Sequence, residues 1–221
     1  MADERRIQIY TDGACLGNPG PGGWAAVLVE PGGRVWEIGG RDPATTNNRM
    51  ELTAVIEGLR RAAPGARVHV VTDSRYVYDG ISSWIHGWKR RGWRKADGQP
   101  VMNRDLWKEL DRLAWGSGRR VTWEHVRGHR GHAFNERCDE LATAFARGET
   151  PDLRDGSGEW IGTAESGRSF PCYVSRVDGE VAFHGSWPEC EARVRGVSGA
   201  RHRKVRSPTE LERVLREWEG A

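Results

Sequence analysis

Polar and apolar positions alternate from Arg6 to Ala14 and again from Arg34 to Gly40, while Gly23 to Glu30 between them is largely apolar. Short glycine- and proline-rich separators, Gly17 to Gly23 and Pro31 to Gly33, divide these runs. Three strands joined by short turns predict an antiparallel meander. The period then changes. Leu52, Val55, Ile56 and Leu59 recur at helical spacing, which predicts a helix from about Asn48 to Ala62, stopped by Pro64-Gly65. Arg67 to Thr72 reads as a buried strand, and the strand–helix–strand order favours parallel addition to the sheet. Ser74 to His86 reads as helix in pieces, broken at Gly80. Leu106, Trp107, Leu110 and Leu113 mark another helix, Arg120 to Val126 alternates as a strand, and Cys138, Leu141, Ala142 and Phe145 mark a further helix, ended by Gly148.

Beyond Gly148 the pattern dissolves. Glu149 to Gly158 holds turn formers and charge with little to bury, so residues 149–169 are expected to be a linker between a domain at 1–148 and a small module at 170–221. In that module two strands, Cys172 to Arg176 and Glu180 to His184, flank the turn Asp178-Gly179. A helix is expected near Pro188, and a last one from Thr209 to Trp218, opened by the capping signal Ser207-Pro208-Thr209-Glu210. A module this small is expected to be marginally stable.

Composition narrows the class. The chain has 221 residues, 37% hydrophobic and 29% charged, with a formal net charge of only +3, so a polyanionic partner must be argued from where the charge sits. No apolar run is long enough to span a bilayer, and Met1 to Arg6 has no apolar signal core, so a cytoplasmic protein without membrane contact is expected. Cys15, Cys138, Cys172 and Cys190 form no metal-type pair and read as reduced thiols.

The chemistry lies in four acids. Asp12 closes the first alternating run and is followed by Gly13; Asp73 closes the buried strand; Glu51 and Asp139 stand where helices are expected to begin. Carboxylates at strand ends and helix starts tend to converge on one edge of a sheet. Two such charges at about 4 Å repel by roughly 4 kcal/mol at an effective dielectric of 20. Hard divalent cations with oxygen ligands relieve that repulsion and serve phosphoryl chemistry. A second feature is Trp84 to Lys95, with five Lys or Arg, no acid, and Trp84, Trp88 and Trp93 interleaved. Cations for phosphates and flat rings for sugars or bases suit a nucleic-acid groove.

Four blocks, Thr11 to Gly20, Thr46 to Leu52, Thr72 to Ser74 and Asn135 to Ala142, together resemble type 1 ribonuclease H, in that family's order, over roughly Arg5 to Arg147. The resemblance implies an α/β fold with a mixed five-stranded sheet flanked by helices. It implies an endoribonuclease that cuts the RNA strand of RNA·DNA hybrids with two Mg²⁺ ions when substrate is bound, Mn²⁺ being an alternative, and leaves 5′-phosphate and 3′-hydroxyl ends. It implies that Asp12 bridges both ions, that Asp139 completes the site of the ion activating water, and that Glu51 and Asp73 hold the ion beside the leaving 3′ oxygen. His129, in the glycine-flanked loop Arg127 to His132, falls at the position of the family's proton-carrying histidine. Asn18, Asn47 and Asn48 match groups that read base edges and the 2′-hydroxyl, and Thr46 one that holds a phosphate of the DNA strand. Trp84, Trp88, Lys89, Arg90, Arg91 and Trp93 match the family's basic protrusion.

The tail, with Tyr173, Ser186 to Cys190 and Gly199 to Lys204, looks like the small hybrid-binding domain of eukaryotic members, although it follows the catalytic part here and His202 stands where an aromatic ring is usual. That likeness implies that Tyr173 and Trp187 touch the DNA strand and Arg203 and Lys204 its phosphates. A monomer acting on the hybrid is expected. A hybrid-binding protein without catalysis is the rival, disfavoured because a binder of polyanions has no use for four mutually repelling acids.

Overall fold

The computed structural model describes residues 6–126, 132–156, 172–205 and 208–219. Contacts divide the chain into two compact units, Met1–Gly128 with Cys138–Glu159, and His129–Arg137 with Trp160–Ala221.

In the first unit β1 (Ile7–Cys15), β2 (Gly20–Val29) and β3 (Val35–Thr45) form the expected antiparallel meander. β4 (Arg67–Thr72) and β5 (Arg120–His125) add in parallel, giving the order β3-β2-β1-β4-β5. This is the mixed five-stranded sheet expected from the sequence. One face carries the main core. Ile9, Leu28, Val68 and Val70 of the strands meet Leu52, Val55, Ile56 and Leu59 of α1 (Asn47–Arg61), and Trp107, Leu110 and Leu113 of α4 (Arg104–Trp115). On the other side of β1, Cys138 on α5 (Ala133–Ala146) gives its thiol proton to the Tyr10 carbonyl at 3.2 Å.

The interruption expected at Gly80 is not a break. α2 (Arg75–Asp79) runs through a π-helical turn, Gly80–Trp84, into α3 (Ile85–Arg90). Gly80 is required there because any Cβ would overlap the indole of Trp107. Residues 149–156 also depart from a free linker. Glu37 N–H donates to the Arg154 carbonyl at 2.9 Å, Trp36 and Asp155 form an antiparallel bridge, and Gly156 lies against the Trp36 ring. The exposed edge of β3 is thus covered by the chain that follows α5, a common solution for an edge strand.

The second unit contains β6 (Cys172–Val177), β7 (Glu180–His184) and β8 (Arg201–Val205), antiparallel in the order β7-β6-β8, with α6 (Trp187–Val194) and α7 (Pro208–Glu219). Asp178 and Gly179, with φ of 51° and 85°, make the tight β6–β7 turn that favours such residues. β8 is not foreseen from the pattern, because Arg201 to Lys204 are all exposed and show no apolar alternation. The core of this unit is small: Cys172, Val174 and Val205 meet Leu211, Val214 and Trp218 of α7.

Candidate active site

Asp12 and Asp73 are neighbours by register. Thr11 pairs with Thr72 across the parallel β1–β4 ladder, which sets Asp12, still within β1 and paired with Ala25 of β2, beside Asp73, the residue that follows β4. Glu51 reaches them from the second turn of α1. Gly13 permits this approach, since a Cβ there would collide with the backbone of Met50 and Glu51. Asp139 stands on the second turn of α5, which starts six residues earlier than Asp139 itself, at Ala133, and so earlier than the sequence pattern indicates.

The electrostatics register the crowding. Burial, then the charge of Asp73, push the Asp12 carboxyl up to about 8, with Asp139 and Glu51 adding to the rise and a 2.7 Å hydrogen bond from Gly13 N–H opposing it. Burial likewise raises Glu51, against the hydrogen bonds it accepts from Ser74 and Asn47. Those bonds fix the side chain: Asn47 Nδ2 donates to Glu51 Oε1 at 3.0 Å and Ser74 Oγ donates to Oε2 at 2.6 Å. Ser74 is a site residue that the sequence reading passed over. It also accepts from Val77 N–H at 3.2 Å, capping α2, and its own N–H donates to Thr72 Oγ1 at 3.1 Å. His125, at the end of β5, holds the same turn by donating from Nε2 to the Asp73 carbonyl at 3.2 Å.

Among the described residues no three His, Cys, Asp or Glu side chains are placed to hold one metal ion together. The set still suits a hard divalent cation. All its donors are carboxylate oxygens, and Asp12 is held near 8 by burial and like charge, a cost that a cation removes.

A sequence model of the RNase H family matches residues 4–147. The chain is 57% identical over 149 residues to the ribonuclease H of Thermosynechococcus vestitus, covering 66% of this chain and 92% of that one. It is 57% identical over 141 residues to ribonuclease HI of Neisseria meningitidis serogroup B, covering 63% and 94%. The chain belongs to the ribonuclease H family. Among solved structures it resembles LC9-RNase H1, described as a type 1 RNase H with the type 2 active-site motif, at 33% identity and a TM-score of 0.59, over 86% of this chain and 82% of that one. That share exceeds the family match, so the likeness runs on past residue 147. The chain is thus a ribonuclease H enzyme, of a metal-dependent family.

In this ribonuclease H the asparagines lie beside the acids. Asn47 N–H donates to Asn18 Oδ1 at 3.3 Å, linking the β1–β2 turn to α1. Asn48 follows in the first turn of α1, partly exposed. Thr46 precedes α1 without capping it through its side chain, and lines a cleft of about 350 Å³ with Pro19, Thr45 and Arg49. His129 lies outside the described residues, while His132 is exposed just before α5.

The basic protrusion differs from its sequence reading. Trp88 and Trp93 pack against the main core, Trp88 edge-on to Trp107 at 5.3 Å, and only Trp84 of the three is exposed, at 41%. Two of the three indoles are therefore partly buried and help anchor the segment to the core. Lys89 pairs with Asp111 of α4 at 2.7 Å, whereas Arg90 and Arg91 are exposed.

In the second unit Tyr173 and Trp187 meet at 5.6 Å, and Lys204 lies over the Tyr173 ring at 5.5 Å. Arg203 does not join them. Strand alternation turns it to the α7 side, where it pairs with Glu217 at 3.3 Å, so the expected Arg203–Lys204 phosphate pair is split between two faces.

Proposed function

We propose that this endoribonuclease cuts the RNA strand of RNA·DNA hybrids at the carboxylate cluster, with Asp12, Glu51, Asp73 and Asp139 as ligands for two Mg²⁺ ions, Mn²⁺ substituting. The observation that supports this reading is that Asp12 is raised to about 8 by burial and by the nearby charges of Asp73, Asp139 and Glu51. When bound, such ions supply an activated water and offset charge on the leaving 3′ oxygen, giving 5′-phosphate and 3′-hydroxyl ends.

The chain's own groups do the rest. Asp12 would be a ligand of both ions; Asp139 would complete the site of the ion that activates water; Glu51, oriented by Ser74 and Asn47, and Asp73 would hold the ion on the leaving side. His129 is assigned the proton-carrying role. Asn18, Asn47 and Asn48 face the minor groove, where amides can both donate to and accept from base edges and 2′-hydroxyls. Thr46 holds a DNA phosphate, and Trp84, Arg90 and Arg91 grip the backbone. We infer further that residues 1–148 form the catalytic part, that 154–156 extend its β3 edge, and that the rest of 149–169 serves as a tether. Residues 170–221 form a second hybrid-binding module, acting through Tyr173, Trp187 and Lys204. The enzyme is read as a cytoplasmic monomer; among the described residues no helix is long and apolar enough to cross a membrane.

The deciding experiment is cleavage of an end-labelled hybrid beside a DNA duplex, with and without Mg²⁺, in the chain and in Asp12→Asn. RNA-strand cutting that needs both the metal and Asp12 supports the assignment. Metal-dependent cutting that survives Asp12→Asn removes it.

A further inference from the structure

β8 is an edge strand whose residues Arg201, His202, Arg203 and Lys204 are all exposed, with no acid among them. His202 and Lys204 share one sheet face by alternation, opposite Ser175 and Tyr173 of β6. On that face three rings form a continuous row: Tyr173 lies 5.6 Å from Trp187, and Trp187 lies 5.1 Å from His202, with 37% of Trp187 exposed. The row ends in a ring that can gain a charge. Charge complementarity of the all-basic strand selects a polyanion as its occupant, and flat rings beside cations suit a nucleic-acid backbone.

We propose that His202 makes the second unit's hold on the RNA·DNA hybrid proton-dependent: the imidazole packs on Trp187 as a neutral ring and, when protonated, adds a cation beside Lys204 for a backbone phosphate. This rests on the reading of the second unit as a hybrid-binding module.

The charged and titratable groups around His202 leave that proton to the ligand. On β8 the same-face neighbour is the cation Lys204, while Arg201 and Arg203 lie on the other face, Arg203 paired with Glu217. From β6 come Tyr173 and the hydroxyl of Ser175, which is bonded to His184 of β7 at 2.8 Å. On α6, Glu189 accepts from Gly185 N–H at 3.0 Å and Glu191 pairs with Arg195 at 3.1 Å, while Arg193 pairs with Glu180 of β7 at 3.5 Å. The carboxylates of α6 and β7 are thus engaged elsewhere, and a bound phosphate is the anion left to favour the imidazolium. By linkage, a ligand that favours the protonated ring binds more tightly where protons are more available.

The test is anisotropy of a short fluorescein-labelled RNA·DNA hybrid with the full chain in EDTA, at fixed ionic strength, at about pH 6 and about pH 8, on either side of an ordinary imidazole's range. His202→Phe keeps a ring without a proton, and Trp187→Ala removes the middle of the row. The wild-type chain should gain affinity on acidification by about three- to tenfold more than His202→Phe, as expected for one added charged hydrogen bond. The same pH response in His202→Phe, with affinity lost in Trp187→Ala, overturns the role of His202 and leaves the module reading standing. Unchanged affinity in Trp187→Ala at both pH values overturns the module reading, and the proposal with it.

Discussion

Ser74 gives its hydroxyl proton to Glu51 at 2.6 Å and, through the same oxygen, accepts from Val77 N–H at 3.2 Å. One side chain therefore both orients a proposed metal ligand and caps the helix that follows Asp73. Removing it should have two separable effects. Ser74→Ala should cost about 1 kcal/mol of stability, as other lost N-caps do. It should also lower hybrid cleavage by about 10- to 100-fold, the usual cost of losing a group that orients a metal ligand. Denaturant unfolding and initial cleavage rates read the two. A variant that loses the stability but keeps full cleavage would show that Glu51 holds its place without Ser74.

The difference between Glu51 and Ser74 shows what the sequence could tell. The four acids stood out because the pattern put each at the close of a strand or the start of a helix, whereas in the structure only Asp73 follows a strand end: Asp12 lies within β1, and Glu51 and Asp139 stand on second helical turns. The antiparallel meander and the parallel addition of β4 followed from the change between period-2 and period-3.6 segments, while the five-stranded sheet was implied by the family resemblance. Ser74 was hidden because serine before a helix is an ordinary cap, and nothing local says that its hydroxyl also reaches a carboxylate 23 positions earlier. Trp88 and Trp93 were read as nucleic-acid contacts because charge surrounds them in sequence; the sequence did not show that both also pack against the main core, Trp88 edge-on to Trp107. β8 escaped because an exposed edge strand needs no apolar alternation.

The tryptophans thus divide by function. Trp88→Ala should cost about 3 kcal/mol in folding stability, near the low end for a packed aromatic since its indole is only partly buried. Trp84→Ala should shift stability by less than about 0.5 kcal/mol, as surface changes do. It should instead weaken hybrid binding by about 1–3 kcal/mol if the ring stacks on the ligand. Urea unfolding together with binding in EDTA separates the two. Normal unfolding in Trp88→Ala would contradict the anchoring role.

Asp12 links the site to stability through pH. Its folded-state carboxyl is raised from 3.8 to about 8, burial being the first cause and Asp73 the second. An acid so raised favours the folded state while protonated. That stability is fully present below about pH 4 and is lost as the pH rises through about 8. Asp12→Asn carries no such charge. In EDTA its melting temperature should match the wild type's at acidic pH and exceed it increasingly toward pH 8. Mg²⁺ should narrow the gap by stabilising the wild type alone. Parallel melting curves across that range would show that the carboxylates are not strained against one another.

Glu37 and Arg154 make the same kind of argument for the chain beyond α5. The Glu37 side chain is fully buried; its Oε2 accepts from Arg154 N–H at 3.2 Å, and the Arg154 guanidinium lies 3.9 Å from Oε1. Together with the Trp36–Asp155 bridge and Gly156 on the indole, this makes residues 154–156 an added edge for β3 rather than the start of a tether. A chain ended after Gly148 should therefore be less stable than one ended after Gly156. The loss should be at least the roughly 1.5–3 kcal/mol of a hydrogen bond to a charged group. Its bared β3 edge should also promote self-association. Thermal melts and size-exclusion profiles of the two truncations, measured side by side, test this. Equal melting points and a single monomeric peak for both would mean that the strap contributes nothing to the fold.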